Sequence, residues 1–139
     1  MSSRLKMGIR MVTRVALLTV VLHAIIAIAH GVAHYDLGVE LSGFQTAYVV
    51  VVVGAAPVVA AGLLWAGWSR LGLILLAVSM AAALVFGIYW HYVADSPDHV
   101  SQLPEGKTQD LFRVTALLLV LSETFGVAVG LWGLTKGAS

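Results

Sequence analysis

Residues 47–93 read AYVVVVVGAAPVVAAGLLWAGWSRLGLILLAVSMAAALVFGIYWHYV, and Arg70 carries the only fixed charge in the stretch. A helix needs roughly 20 apolar residues to cross about 30 Å of hydrocarbon. The stretch is long enough for two crossings, 47–68 and 71–93, joined by a very short turn at Arg70. The run Val49-Val50-Val51-Val52-Val53 favours strands in water, but it lies inside a long apolar span, so length decides for helix. Membrane-spanning strands would be about half this length and would alternate polar with apolar residues. Pro57 sits in the middle of the first crossing and should kink or loosen it.

Working outward, two further apolar runs, 15–33 and 114–134, have the same character. The whole chain is 60% hydrophobic and 11% charged. Soluble domains carry about 25% charged residues, and so short a chain cannot bury this much apolar surface within itself. The expected fold is therefore an all-α integral membrane protein, a single four-transmembrane-helix bundle over 1–139, with outer loops 34–46 and 94–113. A cleaved leader is the rival reading of the first run, since Ala27-Ile28-Ala29 resembles a cleavage site. His23 interrupts the apolar stretch and argues against it.

Charge sets the orientation. Arg4, Lys6, Arg10 and Arg14 precede the first span, Arg70 marks the short turn and Lys136 follows the last span. The other two loops carry Asp36, Glu40, Asp95, Asp98, Glu105 and Asp110 against only Lys107 and Arg113. The positive-inside rule then places both termini in the cytoplasm. Tyrosines cluster at the outer level and Trp65, Trp68 and Trp132 at the inner level, as aromatic belts do. Short loops and compact size suggest a prokaryotic plasma membrane. The basic N-terminus serves topology and anionic lipid, not nucleic acid.

Small residues forecast helix contacts in lipid. Gly126 and Gly130 have GxxxG spacing, followed by Gly133, and the second span carries Gly54 and Gly62. Such faces suit packing within the bundle, a homo-oligomer or docking to a larger membrane complex. The halves also look faintly alike: His34-Tyr35 ends one span and His91-Tyr92 nearly ends another. Two related helical hairpins would follow.

The chemical signal is histidine. His23, His30 and His34 fall at i, i+7 and i+11, within about 40° on one helical stripe. His30 and His34 form an i, i+4 pair that can place two imidazoles on one ion. His91 and His99 lie at the same outer level, with Asp36, Glu40, Asp95 and Asp98 near in sequence. The expected metal set is His30, His34, His91, His99 and Asp95. Imidazole with carboxylate suits zinc, copper or iron. A second reading makes one histidine of the first span and His91 the axial ligands of haem b. A third leaves the histidines as hydrated or hydrogen-bonded interfacial groups. There are no cysteines, which excludes thiolate sites.

Deeper in the bilayer, Glu123 and His23 are expected at similar depth, where a proton-handling pair would serve a small proton-coupled transporter. A non-catalytic accessory subunit of a larger complex is the remaining reading. No phosphate-binding glycine loop, nucleophile elbow or catalytic triad pattern points to a soluble enzyme.

Overall fold

A computed structural model describes residues 3–137. Residues 1–2 and 138–139, the ends of the expected domain, and the side chains of Arg4 and Lys6 lie outside the described residues. Among the described residues all the regular structure is helical, with no strands. Four helices are long and apolar enough to cross a membrane: Arg10–Leu37, Gly43–Trp65, Ser69–Val93 and Gln109–Lys136. Large apolar side chains point outward along them, Leu18 at 70% exposure and Ile28 and Val85 each at 69%. Lipid is the solvent that suits such a surface.

The first helix runs Ser3–Leu37. Its buried positions include Val12, Ala16, His23, Ile26, His30, Ala33 and Leu37, steps of three, four or seven that keep one seam inward. Gly38 ends it at φ +64, a conformation that suits glycine alone. The Val39 N–H returns to His34 O at 3.0 Å and the Gly38 N–H to Tyr35 O at 3.2 Å, the paired bonds of a Schellman stop. Gly67, at φ +87, ends the second helix in the same way.

Ser42 starts the second helix with a reciprocal cap. Its hydroxyl accepts from the Gln45 N–H, and the Gln45 side chain accepts from the Ser42 N–H. This helix starts at Gly43 rather than at the apolar boundary of residue 47, and ends at Trp65 rather than 68. The expected disturbance at Pro57 takes a defined form: Val49–Ala55 is wound as π-helix, with the Ala56 N–H bonded five residues back to Val51 O. Pro57 has no N–H to give the carbonyl of Val53, four residues earlier, and His23 Nε2 lies 3.1 Å from that oxygen. A second π turn, Tyr89–Val93, ends the third helix.

The fourth helix begins at Gln109, five residues before the apolar run. The outer loop is accordingly shorter than the expected 94–113. Asp110 lies in the first helical turn, not before it, exposed and 3.7 Å from Arg113.

The fourth helix packs along both the first and the third, and the third along the second, while the first and second touch only slightly. The two sequential hairpins therefore do not pack alike, which removes the expected equivalence of the halves. The glycine stripe of the fourth helix is buried inside the chain. A Cβ at Gly126 would lie 2.7 Å from Met80 Cγ, and one at Gly130 would lie 2.8 Å from Ala77 Cβ and 3.0 Å from Leu73 O. Gly126 and Gly130 thus serve the contact with the third helix and leave no free face there for a partner. Gly54 and Gly62 are exposed.

Candidate metal centre

Three histidines meet near one end of the bundle. His30 and His34 come from the first helix and His91 from the π turn of the third. One ring nitrogen from each lies within 4.8 Å of the others. His30 and His91 are buried, and the His34 side chain is 12% exposed. The rings touch edge to face, with centroids 4.8 Å apart for His30 and His34 and 4.9 Å for His30 and His91. Phe112, fully buried, packs against all three. With Ala33, Leu37, Val39 and Leu103 it forms an apolar cluster beside the histidines.

The hydrogen bonds fix where each ring carries a proton. His34 Nδ1 lies 3.2 Å from Val39 O, and a carbonyl can only accept, so Nδ1 carries the proton. His91 Nδ1 lies 3.1 Å from Asp98 O and 3.3 Å from Asp98 Oδ1, both acceptors. His30 Nδ1 lies 2.9 Å from Thr115 Oγ1, whose own proton goes to Leu111 O at 2.6 Å. All three rings therefore carry a proton on Nδ1; Nε2 of His30 and of His91 is left with a lone pair, and His34 Nε2 faces Asp98. His30 Nε2 is buried without a hydrogen-bond partner. Imidazoles with one nitrogen tied to an oxygen and the other free are the arrangement that metal ligation uses.

Asp98 completes the group. It is buried, and its Oδ1 lies 3.1 Å from His34 Nε2. A neutral His34 would set a lone pair against that oxygen. Two states relieve the conflict: an imidazolium donating to the carboxylate, or a cation between the two atoms. Burial alone would raise the Asp98 carboxyl, but hydrogen bonds and charge from His34 and His91 outweigh it and hold the group well below the usual carboxylate range.

The cluster thus brings together His30, His34 and His91 from the expected set and leaves two members outside. His99 Nδ1 lies 2.8 Å from Ser101 Oγ and accepts the Ser101 N–H. Asp95 is exposed and accepts from Gln102 Nε2 at 2.6 Å. The loop turns after Ser96, with the His99 N–H on Ser96 O and the Val100 N–H on His91 O, and this delivers Asp98 rather than Asp95.

The expected pairing of His23 with Glu123 is also replaced. His23 uses Nε2 on Val53 O and has Nδ1 3.4 Å from Ser122 Oγ. It ties the first, second and fourth helices at one depth. Glu123 is buried, its Oε2 has no hydrogen-bond partner, and it borders the same cavity as the three histidines.

Histidine spacing alone does not single out Thr115 and Phe112. Their signal in the sequence is a face of the fourth helix, Phe112, Thr115, Leu119 and Ser122, recurring every three or four residues, with Glu123 next to Ser122. No known protein family, curated protein or solved structure matches this chain.

Proposed function

We propose that the chain is a small membrane metalloprotein that holds one divalent transition-metal ion on His30, His34 and His91, with Asp98 as fourth ligand or as the group that orients the imidazoles. The observation that carries this reading is the meeting of three histidine rings, one nitrogen of each within 4.8 Å of the others, with every Nδ1 tied to an oxygen. Ligand nitrogens about 3.3 Å apart suit a tetrahedral ion at Zn–N distances of about 2.0 Å. The 4.8 Å limit here means that the rings would draw in by about an ångström or more on binding.

A bare ion is favoured over haem b. A porphyrin needs a flat slot between its axial ligands, and here the imidazoles and Phe112 already fill that space edge to face. The charge asymmetry of the loops puts the site near the extracytoplasmic face. Metal handling, assembly of a metal-containing complex or metal-centred chemistry at the membrane are the roles such a site serves.

The test is a titration of chelator-stripped protein in mild detergent with Zn2+ and Co2+, followed by elemental analysis and an optical spectrum. One ion per chain is expected, lost in His30→Ala and His91→Ala and kept in His99→Ala. A chain that takes up no stoichiometric metal would sink the reading. A Soret band in the protein as isolated would replace the ion by haem.

A further inference from the structure

The three histidines border a cavity of about 200 Å³, and Glu123 borders it with them. Much of the remaining lining is apolar, including Val49, Val53, Phe86 and Leu119. A metal held by three histidines keeps at least one coordination position for a water or a substrate. With Asp98 orienting the imidazoles rather than ligating the ion, that position would face the cavity here.

Glu123 makes the cavity more than a packing defect. Its side chain comes from mid-span, is 2% exposed and leaves Oε2 without a donor. A buried oxygen left unpaired is costly, and native structures rarely retain one without use. Gly87 contributes the space beside it. A Cβ at this position would lie 3.9 Å from both Glu123 Oε2 and His91 Cδ2, so any larger side chain would grow into the gap between carboxyl and imidazole. A dry cavity of about 150 Å³ accommodates a benzene-sized molecule.

We infer that this cavity binds a small, mainly apolar molecule, about one substituted six-membered ring in size, whose hydroxyl group donates to Glu123. The ring would lie against the open side of the metal, and only this last clause rests on the metal reading. The ligand comes from lipid. Gly31 is exposed where it borders the cavity, inside the first span, and the first and second helices make the slightest contact of any neighbouring pair.

The probes are 4-fluorophenol and 4-fluorotoluene, alike in shape and different in the donor, followed by fluorine NMR with the full chain in detergent. The phenol should bind at least about tenfold more tightly than the toluene, the factor expected for a hydrogen bond to a buried carboxyl. The preference should fall to parity in Glu123→Leu. Binding of both probes should be lost in Gly87→Val. Helical circular dichroism and a cooperative melt like those of the wild type would show that both variants fold. Equal affinities in the wild type, a preference that survives Glu123→Leu, or undiminished binding in Gly87→Val would overturn the proposal. If the wild type takes no zinc yet prefers the phenol, the metal reading fails and the pocket stands. If it takes stoichiometric zinc and shows no phenol preference, the metal site stands and the pocket proposal fails.

Discussion

Thr115 is the residue on which the tautomer of His30 turns. Its hydroxyl gives its proton to Leu111 O and so presents only a lone pair to His30 Nδ1. Thr115→Val keeps the shape and removes that acceptor. Zinc affinity should then fall about 10–100-fold, the usual effect of losing an outer-shell partner, with helical content unchanged. Thr115→Ser should restore it. Unchanged affinity in the valine variant would mean that His30 does not depend on this bond. Asp98 carries a second residue-scale prediction. Its carboxyl titrates lower in the folded chain than in the unfolded one. Its contribution to stability is therefore fully present above about pH 4 and is lost as the pH falls below that. Metal-free wild type should melt higher than Asp98→Asn near neutrality, and the two should converge as acid is added toward about pH 2. A constant gap across that range would show that the Asp98 charge does not stabilise the fold.

At the scale of the helix, the Schellman stop at Gly38 does more than end a span. It turns the chain so that Val39 O meets His34 Nδ1. Gly38→Ala forces a side chain into the left-handed region at a cost of about 1–2 kcal/mol. The variant should melt lower and bind zinc more weakly, whereas an alanine at exposed Gly62, which has nothing within 4 Å of its Cβ position, should leave metal binding unchanged. Equal zinc affinity in Gly38→Ala would separate the turn from the site. The spans themselves were legible because apolar length and loop charge survive any packing arrangement. The Ser42 cap is a local pattern of four residues, but apolar length alone put the start of its helix at residue 47. The π segments were not legible. Pro57 announces a lost hydrogen bond, but the five-residue register also depends on what takes up the freed carbonyl, and His23 belongs to another helix. The histidine trio was half legible: the i, i+4 pair is local, whereas His91 joins it only through the packing of two helices. Asp98 and Asp95 could not be ranked from sequence, because the choice follows from the path of the loop.

For the whole molecule, the consequence of its charge pattern is an orientation. The cavity, His30, His34 and His91 all lie toward the end of the bundle that carries the Asp98 loop, and Arg70 opens the third helix at the other end. If the positive-inside rule governs insertion, the metal meets the extracytoplasmic side and Arg70 the cytoplasm. The chain has no cysteines, so a single engineered thiol reports without background. Arg70, in the first turn of the third helix, and Glu105, in the outer loop, are both exposed and lie at opposite ends of the bundle, so Arg70→Cys and Glu105→Cys are suitable sites. A membrane-impermeant maleimide applied to intact cells should label Glu105→Cys and spare Arg70→Cys, which should react only after the membrane is opened. The reverse pattern would turn the site toward the cytoplasm, where metal supply and redox poise differ, while leaving its ligand geometry untouched. Labelling of both thiols in intact cells would mean that the helices do not all span, and the lipid route proposed for the cavity ligand would then lose its basis.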